Sequence, residues 1–487
     1  MADDLGARLA ARLASALTDR WGEPVEVTDT GPLVGGASRE IWALTARTRG
    51  GGRRLVLRMN PPGAAQPADL ALEEAVLTAA AGAGVPVAHP RGLGDGSDAV
   101  GQPYLLMDHV DGETIPRRLL RDPRFADARA GLAAELGRVL ARLHSVPPDS
   151  VPMLTGGDAL DGLRAEHDAY GEPRPALEVV FRWLAEHRPA PAPFRVLHGD
   201  FRNGNLMVGP DGLRAVLDWE LAHLGDPVQD LGWLCAPPWR FGAPAPVGGF
   251  GERAELLDGY AEVAGWRPTE EALHWWEVFG TVRWAVICRR QAQRHLDGSE
   301  PSVELAVIGR RICESEFDAL CALGLADPVT VADPLAGLPP AGVPTGPVPA
   351  SEPGAGSGRG PGAAGCSVHD RPSVDELLAA ASGFLTAARV AGADGGGAPG
   401  AGPRFHARVA ANALAIARRE LLLGAGQARA HARRLADLGC ADDRALVEAV
   451  RTGSLDGRWD DVLAAVRELT VAKLTVANPR HLARAVI

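Results

Sequence analysis

The N-terminal quarter of the chain shows the alternation of apolar and polar residues that is typical of paired β-strands. Arg39–Arg47 and Arg53–Met59 alternate or run apolar between Gly-rich turns, as the strands of a hairpin do. Gln102–Val110 is mostly apolar and predicts a buried strand. Ala68–Gly84 has a helix-forming composition and ends in glycine. Residues 1–110 are therefore predicted to form a helix followed by a small β-rich region that contains one further helix.

Beyond this region the periodicity becomes helical. Residues 111–332 are predicted to be mostly helical, with two short strand-like segments around one polar stretch. Pro, Gly and Ala dominate residues 333–367, which cannot build a core and are predicted to form a flexible linker. Helical periodicity returns in residues 368–487, where Ser373 and Glu376 have the spacing of a capping box. The expected fold class is an α+β part followed by a separate small all-α domain.

Composition narrows the class of protein. The 487 residues carry a formal net charge of -11, with 46% hydrophobic and 23% charged residues, which are proportions of a soluble globular protein. No apolar segment reaches the roughly 18–20 residues that span a bilayer, and the acidic N-terminus does not read as a secretion signal. The acidic balance argues against nucleic acid as a partner. The six cysteines form no CxxC pair, so we expect free thiols in a reducing cytoplasm, and the lack of a long apolar segment predicts no association with a membrane.

The candidate chemistry lies in the polar stretch VLHGDFRNGNLMV, Val196–Val208, and in AVLDWELAHLGDPVQDLGWL, which begins at Ala215. Phosphoryl transfer from ATP needs one carboxylate that orients the acceptor hydroxyl and accepts its proton. It also needs a carboxylate and an amide oxygen that hold the magnesium ion bridging the phosphates. Asp200, Asn205 and Asp218 match this set of groups.

These segments resemble the signature of the aminoglycoside phosphotransferase family, relatives of the protein kinases, in HGDFRNGN, LDWE and GDPVQDLG. The resemblance implies a bilobal protein-kinase-like fold, with a small β-rich N-lobe at 1–110 and a helical C-lobe at 111–332. It implies ATP and Mg²⁺ as cofactors. It also implies that Asp200 is the catalytic base and that Asn205 and Asp218 are the magnesium ligands.

The resemblance implies supporting roles for two further residues. His198 is expected to hold the catalytic loop through hydrogen bonds, and Asp230 to bind backbone amides of that loop. Glu220 is left open between a metal contact and a solvated position at a strand end. Asn203 is interpreted as a loop residue, and His144 as a structural histidine.

An ATP-phosphate site is expected upstream. In LVGGASREIW, Gly35 and Gly36 would let backbone amides approach the phosphates and Ser38 would add a hydroxyl, although a Gly pair is also a common turn. Arg58 occupies the strand position that is Lys in most kinases. No lysine could take this role instead, because the only Lys in the chain is Lys473. Its expected partner is Glu73, with Glu74 as the alternative. Adenine is expected at a hinge formed by Asp108, His109 and Val110.

The arginines of the helical half and the segment at Arg58 bear on the class of acceptor. Arginines concentrate in the helical half, and they either line a groove for an anionic substrate or form solvated helix faces with Glu partners; the candidates are Arg283, Arg289, Arg290 and Arg294. The VLR segment at Arg58 resembles the subgroup of phosphotransferases linked to acyl-CoA dehydrogenases, which implies a hydroxyacyl-CoA or another anionic metabolite.

Two other functions stay open at this point, an aminoglycoside-type antibiotic kinase and a non-catalytic nucleotide-binding module. Residues 368–487 resemble an uncharacterised helical domain that is found beside such kinases. No reaction follows from that resemblance. The sequence gives no oligomeric state.

Overall fold

The computed structural model describes residues 2–33, 40–60, 67–336, 368–393 and 401–484. The chain divides into two compact units, residues 1–162 with 187–280 and residues 163–186 with 281–487. Residues 281–332 and 368–487 thus belong to the same unit, whereas the predicted domain bounds separate them. The predicted domain bounds at residues 332, 333, 367 and 368 stay a prediction.

The helices are α1 Ala2–Trp21, α2 Pro67–Gly82, α3 Pro116–Arg121, α4 Ala126–His144, α5 Ala159–Ala169, α6 Pro175–Glu186, α7 Val228–Cys235, α8 Arg253–Ala264, α9 Glu270–Leu296, α10 Val303–Gly309, α11 Ile312–Ala322, α12 Val374–Ala393, α13 Ala401–Leu438, α14 Asp443–Thr452 and α15 Trp459–Ala477. The strands are β1 Glu26–Pro32, β2 Glu40–Thr48, β3 Gly51–Met59, β4 Pro90–Asp95, β5 Pro103–Asp108, β6 Arg195–Leu197, β7 Leu206–Gly209, β8 Gly212–Val216 and β9 His223–Gly225. No helix among the described residues is both long enough and apolar enough to cross a bilayer.

The first unit contains an antiparallel five-stranded sheet in the order β1-β2-β3-β5-β4, which follows α1. Alternating side chains of β2 and β3, such as Leu44 and Leu57, are buried against Leu13 and Leu17 of α1. This is the period-2 burial that the alternation in the sequence predicts. The predicted strands β2, β3 and β5 and the helix α2 are confirmed, as is the β-rich N-lobe.

The helical part of this unit is organised around the pair α4 and α8, whose backbones approach closely at two glycines. A Cβ on Gly137 would lie 2.2 Å from the carbonyl oxygen of Leu256, and a Cβ on Gly259 would lie 2.2 Å from that of Ala134. Any larger residue would push the helices apart. The last turn of α4 carries His144, and this close packing therefore fixes a residue that reaches the candidate site.

Two small antiparallel ribbons, β6 with β9 and β7 with β8, frame the polar stretch that the sequence singled out. Residues 198–205 form the loop between β6 and β7. The flanks Val196, Leu197, Leu206 and Val208 are buried. The apolar ends of the stretch therefore anchor both ends of the loop in the core.

The described part of the second unit is all-helical, in agreement with the predicted helical C-terminal region. Its apolar core joins Val303 and Ala306 of α10 to α12, α13 and α15. Beside this core lies a buried group of charged side chains that we call the unit 2 ion cluster: Arg174, Glu316, Asp370 and Lys473. The C-terminal helices thus pack on α6, α10 and α11. Residues 337–367 of the predicted linker lie outside the described residues.

Candidate active site

The loop at residues 198–205 is held at its start by a buried carboxylate. Asp230 on α7 accepts hydrogen bonds from the backbone N–H of His198 at 2.8 Å and from that of Gly199 at 2.9 Å, and it contacts His144 Nε2 at 3.3 Å. Burial raises the pKa of Asp230, but its interactions with His144 and with the His198 amide outweigh burial and hold the pKa below the ordinary value. Asp230 thus contacts two backbone amides of the loop, and its supporting role stays a prediction.

Gly199 is required by the path of the loop. Its φ of 77° lies in the left-handed region, and a Cβ there would lie 2.1 Å from the carbonyl oxygen of Leu221. A side chain at this position would force the loop away from the segment that leads into β9. The middle residue of the HGD triplet is therefore fixed by backbone geometry.

His198 bridges the loop to the end of the neighbouring ribbon. Its Nδ1 accepts a hydrogen bond from the backbone N–H of Asp200 at 3.1 Å, and its Nε2 donates to the carbonyl oxygen of Leu217 at 3.0 Å. Burial lowers the pKa of His198, which favours the neutral ring that this pairing requires. Trp219 packs on the ring with centroids 4.6 Å apart. Both ring nitrogens are thus used within the protein, which suits a positioning role.

Asp200 lies between β6 and β7 with its carboxylate 14% exposed. Its oxygens accept hydrogen bonds from Trp233 Nε1 at 2.8 Å, from Arg202 Nε at 3.0 and 3.1 Å, and from Asn205 Nδ2 at 2.6 Å. These bonds fix the orientation of a partly exposed carboxylate, which suits a group that takes a proton from a hydroxyl once one of its donors has turned away.

Asn205 and Asp218 lie on two segments that are joined directly, because Leu217 N–H donates to the carbonyl oxygen of Asn205 at 2.8 Å. The amide nitrogen of Asn205 is committed to Asp200, which leaves its amide oxygen for a cation. Asp218 has a φ of 66°, an unusual conformation for a residue other than glycine and one that is frequent at functional sites.

A magnesium ion suits this pair of residues. Mg²⁺ binds through one or two carboxylate or amide oxygens and completes its shell with substrate phosphates and water. Among the described residues no group of three His, Cys, Asp or Glu side chains is placed to hold a metal without a substrate. Asn205 and Asp218 therefore fit a magnesium ion that binds together with a nucleotide.

Arg58 connects this region to the sheet. Its guanidinium forms an ion pair with the buried Glu73 on α2, and its Nη2 lies 3.6 Å from Asp218 Oδ1. The structure thus places Glu73 at Arg58, whereas the alternative Glu74 makes no such pair among the described residues. Arg58 Nε is buried without a hydrogen-bond partner in the described part of the chain. The expected phosphate-binding residues Gly35, Gly36 and Ser38 lie outside the described residues.

Of the three hinge residues predicted to bind adenine, two use their backbone N–H groups within the protein. Asp108 N–H donates to the carbonyl oxygen of His89 at 2.9 Å, and His109 N–H donates to that of Arg54 at 3.1 Å. The Asp108 side chain accepts from Arg91 at 2.8 Å. In the described part of the chain only Val110, of the three hinge residues, has an N–H without a partner, so this donor is the one left for a base edge.

Asn203 makes a contact inside the protein, and Glu220 faces solvent. Asn203 Nδ2 donates to the carbonyl oxygen of Gly248 at 2.7 Å, which ties the loop at residues 198–205 to the segment after α7. Glu220 is exposed at the end of the LDWE segment. The interpretation of Asn203 as a loop residue agrees with this contact.

The four arginines expected to bind an anionic acceptor belong to the second unit, and three of them pair with acidic residues. Arg289 pairs with Glu172 at 2.8 Å, Arg290 pairs with Glu166 at 3.4 Å, and Arg294 pairs with Glu300. Arg283 is half-buried on the same helix. These pairs favour the alternative of helix faces with Glu partners. A role in acceptor binding stays a prediction.

Sequence reasoning missed three residues around Asp200, namely Arg202, Trp233 and Trp239. Arg202 stands inside the loop motif and Trp233 directly after GDPVQDLG, so nearness to the motif was the available signal. Trp239 follows in a short 3-10 helix, Pro237–Arg240, and the guanidinium of Arg202 lies 4.4 Å from its ring centroid. No pattern in the sequence indicates that contact.

Comparison with known proteins agrees with this geometry. Residues 29–266 match the phosphotransferase enzyme family, APH, and residues 400–481 match a domain of unknown function, DUF6285. Acyl-CoA dehydrogenase family member 10 of Mus musculus is 32% identical over 199 residues, which are 38% of this chain and 18% of that protein. Family member 11 of the same species is 28% identical over 230 residues, which are 42% of this chain and 29% of that protein. The chain thus matches well under half of the length of these relatives.

Among solved structures, a proposed aminoglycoside phosphotransferase of Ralstonia eutropha JMP134 is 25% identical, with a TM-score of 0.51. The match covers 62% of this chain and 94% of that one. The fold of the matched part is therefore that of the kinase-like phosphotransferases, as the sequence predicted.

Proposed function

We propose that this chain, whose residues 29–266 belong to the phosphotransferase enzyme family, transfers the γ-phosphoryl group of ATP to a hydroxyl of a small molecule. The observation that carries the proposal is the joint placement of Asp200, Asn205 and Asp218 on two segments connected by a backbone hydrogen bond. A base and two oxygen ligands in one place are the groups that the transfer requires.

Each residue has a defined part in the transfer. Arg58, held by Glu73, binds phosphate oxygens through its unpartnered Nε, and the Val110 N–H binds the adenine edge. Asn205 and Asp218 would hold Mg²⁺, and the bound ion would neutralise negative charge on the phosphates. Asp200 accepts the proton of the acceptor hydroxyl while the new O–P bond forms and the bond between the β-phosphate oxygen and the γ-phosphorus breaks. ADP leaves with the electron pair of that bond.

We propose a hydroxyacyl-CoA or another anionic hydroxyl compound as the acceptor. The guanidinium of Arg202 lies 3.0 Å from Asp200, and this positive charge beside the base opposes a polycationic acceptor such as an aminoglycoside. The relatives named acyl-CoA dehydrogenase family members 10 and 11 support a substrate related to acyl-CoA, since the matched segment belongs to those proteins.

The aminoglycoside kinase remains the second candidate, because the structure from Ralstonia eutropha carries that description. An ADP-release screen with 4-hydroxyacyl-CoAs, aminoglycosides, choline and sugars separates the two. Phosphorylation of an aminoglycoside at a higher kcat/KM than any acyl-CoA would overturn the assigned acceptor class. Absence of magnesium-dependent ADP release with every acceptor would support a non-catalytic nucleotide-binding module.

The role of Asp200 is tested in the same assay. Asp200→Asn is expected to bind Mg-ATP with unchanged affinity and to lose about 10²–10⁴-fold in kcat, the usual contribution of a positioned base. Asp211→Asn is the matched control, because Asp211 is an exposed carboxylate, 71% accessible, on the turn between β7 and β8. Full transfer activity of Asp200→Asn would sink the assignment of the base.

A further inference from the structure

Four residues of the first unit contact one another in a closed sequence that we call the Asp200 network. Asp200 accepts from Trp233 Nε1 at 2.8 Å, and the rings of Trp233 and Trp239 meet edge to face with centroids 5.1 Å apart. Trp239 carries the guanidinium of Arg202 at 4.4 Å from its ring centroid, and Arg202 returns to Asp200 at 3.0 Å. The catalytic loop, α7 and the 3-10 helix after it each contribute to this network.

The network occupies the lone pairs of the proposed base. Oδ1 of Asp200 accepts from Trp233 and Arg202, and Oδ2 accepts from Arg202 and Asn205. A carboxylate oxygen that already accepts two hydrogen bonds has no good position left for the hydroxyl of an acceptor. One donor must therefore leave before Asp200 can accept a proton.

Arg202 is the donor best able to leave. Trp233 is fully buried, and Asn205 also donates to the backbone carbonyl oxygen of Asp200 at 3.0 Å, so both are fixed by the fold. Arg202 forms the longest bonds to the carboxylate and its side chain is 23% exposed. Its Nη2 has no hydrogen bond to any described residue. A partly exposed guanidinium with an unused donor can turn toward an incoming anion.

The anion that would come closest to the guanidinium of Arg202 is the transferred phosphoryl group. The γ-phosphorus must come within bonding distance of the oxygen whose proton Asp200 receives, so a cation in contact with Asp200 lies beside the phosphoryl group in flight. Phosphoryl transfer spreads negative charge over the three oxygens of that group, and a guanidinium stabilises such charge.

We propose that Arg202 is a further catalytic residue that exchanges Asp200 for the oxygens of the transferred phosphoryl group, and that Trp239 positions it for this exchange. The proposal rests on the proposed function. In the step, the acceptor O–H proton passes to the carboxylate that Arg202 has left, and the acceptor O–P bond forms. The bond between phosphorus and the leaving ADP oxygen breaks, with its electron pair kept by ADP.

Trp239 acts through Arg202 and has a separate, more limited role. Its ring supports one face of the guanidinium by a cation–π contact, which restricts the positions that the side chain can reach. Phe at this position would retain a ring face, whereas Leu would retain only volume. The two substitutions therefore separate positioning from packing.

The test uses the 487-residue chain with the substitutions Arg202→Gln, Arg202→Lys, Trp239→Phe and Trp239→Leu. Arg202→Gln is expected to lose about 10²–10³-fold in kcat, as for other single donors to a transition-state charge, with the Kd for Mg-ADP within about twofold of wild type. Arg202→Lys is expected to recover part of that loss. Trp239→Leu is expected to lower kcat about tenfold without changing the KM for ATP, and Trp239→Phe to retain most of the activity.

A binding measurement gives a second readout that needs no acceptor. Aluminium fluoride with Mg-ADP mimics the planar phosphoryl group, so calorimetry is expected to show tighter ADP binding in its presence for wild type but not for Arg202→Gln. Equal enhancement in both proteins, or a kcat for Arg202→Gln within threefold of wild type, would overturn the proposal. Higher activity of Arg202→Gln would also overturn it, since Arg202 would then only restrain the base.

Failure of the proposed function has a different signature. A wild-type protein that neither binds Mg-ADP nor releases ADP with any acceptor overturns both proposals together. An active wild-type protein whose Arg202 variants are equally active overturns only the role of Arg202. Thermal unfolding of each variant shows whether a lost activity reflects a lost fold.

Discussion

Arg58 Nη2 lies 3.6 Å from Asp218 Oδ1 while the same guanidinium is paired with the buried Glu73. One side chain thus connects the β-sheet, α2 and the segment that carries a proposed magnesium ligand. A lysine would have to reach both carboxylates from one nitrogen, whereas the planar guanidinium of arginine reaches them through two separate nitrogens. The arginine therefore does more at this position than supply a positive charge to the phosphates.

Arg58→Gln is expected to raise the Kd for Mg-ATP at least tenfold, because the phosphates lose their cation and Glu73 is left buried without its partner. Arg58→Lys is expected to give an intermediate affinity. Calorimetry with Mg-ATP measures both. Arg47→Gln is the matched control on the neighbouring strand β2, since Arg47 is exposed and lies outside the residues assigned to nucleotide binding. Binding by Arg58→Gln within twofold of wild type would contradict this assignment.

Asp230→Asn is expected to lower both stability and activity. The buried carboxylate holds the amides of His198 and Gly199, and a hydrogen bond to a charged group contributes about 1.5–3 kcal/mol. Urea unfolding should show a loss of that size, and ADP release should fall because the loop that carries Asp200 loses its anchor. The exposed Asp211→Asn is again the control. Unchanged kcat in a destabilised Asp230→Asn protein would show that the loop keeps its shape without this carboxylate.

The sequence predicted those strands in which apolar positions recur regularly along the chain. The strands β2, β3 and β5 have regular apolar positions, whereas β1 (Glu26–Pro32) and β4 (Pro90–Asp95) are rich in polar, Gly and Pro residues and were not predicted. Both are edge strands of the sheet, so pairing with one neighbour rather than an apolar face defines them.

The same distinction applies to the site. Asp200, Asn205 and Asp218 are close in sequence, and a short motif was enough to relate them. Trp233 and Trp239 reach Asp200 and Arg202 only through the packing of α7 and the 3-10 helix after it, which no local pattern encodes.

The arginines of α9 are a case in which the residues were evident in the sequence but their partners were not. Their charge was evident in the sequence. Their acidic partners Glu166 and Glu172 precede them by more than 100 residues and could not be identified from it.

His167 is expected to make the protein lose stability in mild acid. Burial, with a smaller contribution from Arg174, lowers its pKa from 6.5 to about 4. Above pH 6.5 the ring is neutral in both states and the protein keeps its full stability. As the pH falls below 6.5 the unfolded chain binds a proton that the folded chain does not, and stability declines until about pH 4. The shift corresponds to about 3 kcal/mol at its limit.

Urea unfolding at pH 7 and pH 5 measures this effect. His167→Gln is expected to have a smaller difference between the two pH values than wild type, because Gln does not titrate. His187→Gln, at an exposed position, is expected to keep the wild-type difference. A His167→Gln protein with the same pH dependence as wild type would assign the acid sensitivity to other buried groups such as His369, whose pKa is also lowered to about 4 by burial.

Lys473, the only lysine of the chain, is expected to stabilise the second unit through its two acidic partners. Its Nζ lies 3.1 Å from Asp370 Oδ1 and 3.3 Å from Glu316 Oε2, with the side chain 8% exposed. Burial disfavours the charged amine, but the two carboxylates outweigh burial and raise its pKa. Lys473→Met removes one cation from the unit 2 ion cluster and is expected to cost about 3–5 kcal/mol of unfolding free energy.

The double variant Lys473→Met with Glu316→Gln restores the charge balance and is expected to recover part of this loss, since apolar or neutral replacement of a whole buried pair is far less costly than removal of one partner. Urea unfolding of the single and double variants forms the test, with Glu316→Gln alone completing the cycle. An amine-reactive reagent adds an independent measurement. It should leave Lys473 unmodified in the folded protein and modify it in urea, as read by mass spectrometry of peptides. Rapid labelling of the folded protein would contradict the burial of Lys473, because it requires a solvent-accessible amine. Additive changes in the free energy of unfolding would contradict the ion cluster, because they require that Lys473 and Glu316 do not interact.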